Sequence, residues 1–126
     1  MKRVEQVKSA SRSTLSTAQQ ERARALLDPL LAINDDPRLR GKLRYGYRFE
    51  GPAVVYFESL PGLRKGAPWV EHDIAKFRYT KRTALWSLYC QFSDLKWRSY
   101  EPLPVSDDLA ELVEEMRRDP TCIFFG

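Results

Sequence analysis

Apolar residues follow two rhythms along the chain, and the change from one to the other marks the elements. Ala23, Leu26, Leu27, Leu30 and Leu31 fall at i, i+3, i+4, i+7 and i+8, one stripe on a helix. Thr17 with Gln20 forms a capping box at its start, and Ser16 with Gln19 offers the same chemistry one residue earlier. Pro29 interrupts the stripe, because it lacks a backbone donor and crowds the previous turn. Either the helix kinks there, or a second short helix starts with Asp28 as cap and Pro29 at its first position. Asn34-Asp35-Asp36-Pro37 ends the helical region.

From Leu43 the period changes to two. Tyr45, Tyr47 and Phe49 alternate with Arg44, Gly46 and Arg48 up to the turn signal Glu50-Gly51-Pro52. Ala53 to Ser59 is apolar on both faces. Residues 60–68 hold two prolines and two glycines and read as an open loop. A third strand is predicted from about Val70 to Thr80 and a fourth from about Ala84 to Phe92, with Lys81-Arg82 at the tip between them. A fifth runs from Lys96 to Glu101, where Pro102 and Pro104 stop it. Helical spacing returns at Leu109, Leu112, Val113 and Met116, with acids in the first turn and Arg117-Arg118 in the last, both favourable to the helix dipole. Asp119-Pro120 stops this helix, and Ile123-Phe124-Phe125 follows as an apolar tail.

Short strands with tight turns predict an α+β domain: an antiparallel four- to five-stranded meander flanked by an N-terminal and a C-terminal helix. The fourth strand places Trp86, Leu88, Cys90 and Phe92 on one face but Leu85 and Tyr89 on the other, so both faces of the sheet should be partly covered. The helices lie one per face or both on one face; in the second case a homodimer partner would cover the rest.

Composition narrows the class. The chain has 126 residues, 43 % of them hydrophobic and 12 % aromatic, enough for one domain with a real core. No apolar stretch approaches the roughly 20 residues that span a bilayer. The first 16 residues are basic and polar without the apolar run of a secretory signal. They are expected to form a flexible leader before a domain over 17–126, in a cytoplasmic protein with no membrane partner. Cys90 and Cys122 are expected as two reduced thiols, although a single disulfide tying the C-terminus to the sheet is an alternative.

The net charge of +4 conceals a division. Residues 38–100 carry 13 bases and five acids, whereas residues 101–126 carry two bases and seven acids. Two readings follow: the acidic helices lie near the basic sheet and neutralise part of it, or the basic segment is a patch that meets an anionic partner.

Three segments carry a family resemblance: YGYRFEGPAVVYFE; AKFRYTKRTALWSLYCQFSDLKWRSYEPLP; and DDLAELVEEMRRDP with the closing FFG. Together they resemble domain-of-unknown-function family 3024, a bacterial family without assigned function. The match is colinear, and LKWRSYEPLP and the terminal FFG are its most specific pieces. The family pattern commonly has tryptophan where this chain has Cys90. The resemblance implies the same fold class and brings no activity, cofactor or catalytic residue.

Candidate chemistry centres on the last three strands. Trp69, Trp86, Trp97, Tyr79, Tyr89 and Tyr100 are interleaved with Lys76, Arg78, Lys81, Arg82, Lys96 and Arg98. Bases hold phosphates and aromatic faces stack nucleobases, so Lys76, Arg78, Lys81, Arg82, Trp86, Lys96, Trp97 and Arg98 are the candidate nucleic-acid contacts of a non-enzymatic binding module. The alternative use of the rings is packing, with Trp86 against Trp97 across a hairpin. A protein partner could instead take the sheet edge or the Ile123–Phe125 tail. A third reading is a small metal-dependent hydrolase or nuclease using Glu58, Asp73 and Lys76 beside His72. Asp73 and Lys76 fall on opposite faces of an ideal strand, so that reading needs a bulge. No nucleophile elbow, phosphate loop or metal-ligand spacing is present, and the sequence implies no cofactor.

Overall fold

In the computed structural model, which describes residues 14–126, Ser16 caps the first helix. Its Oγ accepts from the Gln19 N–H at 3.1 Å, and Gln19 Oε1 accepts from the Ser16 N–H at 2.9 Å. The earlier of the two capping boxes prevails because Leu15, just before it, is already buried in the core. Helix α1 spans Thr17–Leu27. The chain then tightens into a 3-10 segment, Asp28–Asp35, because Pro29 has no N–H to continue the α pattern. Asp28 does not act as its cap; the Asp28 carboxylate instead accepts a hydrogen bond from the Tyr47 hydroxyl. The expected leader lies outside the described residues as far as residue 13.

The strands are β1 (Arg44–Glu50), β2 (Ala53–Leu60), β3 (Val70–Thr80), β4 (Leu85–Gln91), β5 (Trp97–Ser99) and β6 (Val105–Ser106). All pairings are antiparallel and the order is β1-β2-β3-β4-β5, with β6 also on β4. The fifth strand is shorter than its pattern suggests. Prolines 102 and 104 lack N–H donors, so the chain leaves the ladder after Ser99 and rejoins it as β6. Around that excursion Leu88 keeps both backbone bonds: its O accepts from Tyr100 N–H and its N–H donates to Pro104 O, each at 2.9 Å.

Helix α2 spans Leu109–Arg118. Asp108 is its N-cap, accepting from the Ala110 N–H, and Asp119 ends it in the left-handed conformation (φ 47°). The Asp119 carboxylate then accepts from the N–H groups of Phe124 and Phe125 at 3.0 and 2.8 Å, which turns the tail back onto the domain. Phe124 is buried against Tyr100, and Phe125 meets Tyr45 and Tyr56 edge-on. Phe124 is thus consumed inside the molecule, whereas Phe125 stays exposed.

Both helices lie on one face. Ala23 and Leu27 of α1 and Leu109, Leu112, Val113 and Met116 of α2 form one cluster with Val54, Tyr56, Phe77, Trp86, Leu88 and Cys90. Val55, Phe57, Lys76 and Tyr89 alternate with these and point the other way. No helix among the described residues covers that second face. Cys90 and Cys122 are both free thiols, the first buried and the second exposed.

Candidate nucleic-acid interface

Strand register builds the uncovered face in rows. Arg48, Val55, Lys76, Tyr89 and Ser99 are successive cross-strand partners from β1 to β5, and Glu50, Ala53, Arg78 and Ser87 form the next row. The two halves of the face differ. On the β1–β2 half the Phe57 ring lies over Gly46, where a β-carbon would come within 2.8 Å of Phe57 Cζ and would push the ring aside. The Arg48 guanidinium sits 5.7 Å from the Phe57 centroid and is bound by three carboxylates. Asp73 takes it through two bonds of 2.9 and 3.0 Å, Glu50 through one of 2.5 Å and Glu71 through one of 3.4 Å. The hydrogen bonds to Asp73 first, and then to Glu50, hold the Arg48 pKa above its ordinary value. Together these side chains leave Val55 wholly buried (0 % exposed) without a helix above it.

The β3–β5 half is different. Lys76 Nζ lies 5.6 Å from the Tyr89 centroid and 5.1 Å from that of Trp97, and it makes no ion pair among the described residues. Arg78 is exposed two residues further along β3, and Lys81 and Arg82 stand exposed at the β3–β4 tip. At the opposite corner Arg44 stacks on Trp69 with 3.9 Å between guanidinium carbon and ring centroid. Cations resting on half-exposed aromatic rings, free of carboxylates, can take phosphates while the rings take bases.

The structure brings together only part of the set expected from sequence. Lys76, Arg78 and Trp97 share the face, Lys81 and Arg82 extend it, and Lys96 lies in the exposed β4–β5 turn. Trp86 leaves the set: it is on the helix side, 5 % exposed and packed on Tyr79, and so reaches neither Trp97 nor a ligand on the open face. Arg98 also points away. It pairs with Cys90 across β4–β5, lies over Phe92 and is bound to Asp94. The alternation on β1 already separated Arg44 and Arg48 from the half-buried tyrosines, yet the sequence reading passed over both as site residues. What it could not show was that register sets them beside Trp69 and Phe57.

The bulge that the hydrolase reading needs is present. Tyr56 pairs with Ala75 but Phe57 with Asp73, leaving Ile74 extra, and this shift puts Asp73 on the same face as Lys76. Asp73 is nevertheless engaged by Arg48, and Glu58 pairs with His72 on the other side of the sheet. No group of three potential metal ligands assembles among the described residues. Nor does any described sheet cation pair with a carboxylate of α2; the acids that neutralise the sheet are its own.

No described helix is long and apolar enough to cross a membrane. No curated protein and no solved structure matches the chain. A family model does match, over residues 15–126, which takes in both helices, all six strands and the anchored tail. On that match the chain belongs to the family described as Domain of unknown function (DUF3024).

Proposed function

We propose that the domain is a binding module without catalytic chemistry of its own, and that its uncovered sheet face takes single-stranded nucleic acid. One observation carries the reading: Lys76 lies over Tyr89 and Trp97, unpaired with any described acid, on a face left open because both helices pack on the other side. Phosphates would meet Lys76, Arg78 and the tip cations, and bases would stack on Tyr89, Trp97 and Trp69. Duplex fits less well, since a sheet face of this kind offers rings that need unstacked bases.

The test is a titration of labelled single-stranded and duplex DNA and RNA at two salt concentrations. Single strands are expected to bind more tightly than duplex and to weaken with salt. Trp97→Ala should cost about 1–3 kcal/mol of binding, the worth of one stacked base. No salt-dependent binding at micromolar protein would sink the proposal.

A further inference from the structure

The open face ends, at the β3–β4 tip, in a cleft of about 440 Å³ lined by Arg78, Lys81 and Arg82 with Pro52, Tyr79 and Thr80. No carboxylate lines it, and none of its three cations makes an ion pair among the described residues. We infer that this cleft holds the terminal phosphate of a single strand whose bases lie on the sheet face; the inference rests on the proposed function and adds to it a preference for a phosphorylated end.

Charge is the first argument. A diester linkage carries one negative charge, and one cation per phosphate is enough to track a backbone. Three cations on one concavity suit a phosphomonoester, which carries roughly −1.5 to −2 at pH 7 and presents three acceptor oxygens. Two of the three are arginines, whose planar forks bind phosphate oxygens in pairs.

Position is the second argument. Arg78 and Lys76 lie on the same face two residues apart, about 6.7 Å along a strand. A phosphate held by Arg78, Lys81 and Arg82 therefore leaves the next linkage near Lys76, and the bases that follow near Tyr89 and Trp97. In the other direction the sheet stops at the hairpin tip, so the cleft is where a strand laid along β3 would begin or end.

The probe is a thymidine hexanucleotide labelled on an internal base, prepared with hydroxyl ends, with a 5′-phosphate and with a 3′-phosphate. One phosphorylated form is expected to bind about tenfold more tightly than the hydroxyl form, the effect of one charge-assisted hydrogen bond. Arg82→Gln and Lys81→Gln should each bring that ratio toward one. Lys76→Gln should weaken all three forms and keep the ratio. Equal affinity for the three forms overturns the cleft assignment and leaves the face reading standing; no binding of any form overturns both. Thymidine monophosphate binding as tightly as the phosphorylated hexanucleotide would also overturn it, because the cleft would then act apart from the face.

Discussion

Arg48 and Lys76 stand in one cross-strand row and carry the same charge, yet their surroundings give them different work. Arg48 is spent on Asp73, Glu50 and Glu71, so it organises the face instead of meeting a ligand. Lys76 has aromatic rings for neighbours and keeps its charge available. Cys90 shows a similar dependence on context. Its thiol donates to Arg98 O at 3.6 Å and borders a cleft of about 260 Å³ lined also by Phe92, Tyr100, Pro102 and Ile123. A small side chain stands there, at the position where the family resemblance implies an indole. Cys90→Trp is therefore expected to fill the cleft and raise stability by about 1–2 kcal/mol, read from urea unfolding; a lower midpoint would mean that the cleft is not open to that side chain. Tyr47 supplies a pH prediction. Burial first, then the hydrogen bond to Asp28 and its charge, push the phenol up to about 12. An unfolded tyrosine ionises near pH 10, so between about 10 and 12 the unfolded chain loses the proton first and stability falls as pH rises. Tyr56, raised by burial and by Tyr45, adds to the loss. Tyr47→Phe should flatten the fall in urea midpoint over that window, and an unchanged slope would show that Tyr47 does not contribute.

Edges and ends are settled among elements. Strand β1 has one outer edge, a liability for sheet-to-sheet association. The 3-10 segment closes part of it with one side chain: Asn34 Nδ2 donates to Tyr45 O and Asn34 Oδ1 accepts from Tyr45 N–H, both at 2.8 Å. An amide here replaces the neighbouring strand. Asn34→Ala should cost about 1–2 kcal/mol in unfolding free energy, the worth of two partly buried hydrogen bonds. It should also increase concentration-dependent association in sedimentation, because the freed Tyr45 groups lengthen the exposed edge. Asp119 does comparable work at the other end of the chain, since one carboxylate both follows α2 and fixes Phe124 and Phe125. The bulge at Ile74 serves the site directly, because without it Asp73 would face the helices and Arg48 would lose its bidentate partner.

At the scale of the whole molecule, charge and shape are divided in the same way. Most acids of residues 101–126 lie in or beside α2, which packs on the helix side, and Lys76 and Arg78 of β3 stand on the open side. On the proposed function, such a distribution would steer a polyanion toward the β3 side of the open face despite a net charge of only +4. Four free cations, Lys76, Arg78, Lys81 and Arg82, set the expected salt dependence. Each phosphate contact with a single strand contributes roughly −0.7 to the slope of log K against log salt, so the slope should be about −3 where each cation meets its own phosphate and about −1.4 where the three tip cations share a terminal one. Lys76→Gln should make it shallower by about 0.7, whereas a slope near zero would mean that phosphates are not the ligand.

Local chemistry determined most of the architecture. Apolar spacing of about 3.6 and of two residues, the Ser16 and Asp108 caps, and prolines 29, 102 and 104 are each decided within a few residues of chain, and they suffice for two helices, a meander and its breaks. The antiparallel order follows from turns too short for any crossover. Tertiary structure alone decided which face stays open, because two amphipathic helices satisfy their stripes equally well on one face or on two. It also decided the register: one bulge moves Asp73 across the sheet, and Trp86 becomes core while Trp97 becomes surface. Alternation assigns side chains to opposite faces of a strand, but which of those faces meets water depends on where distant elements pack.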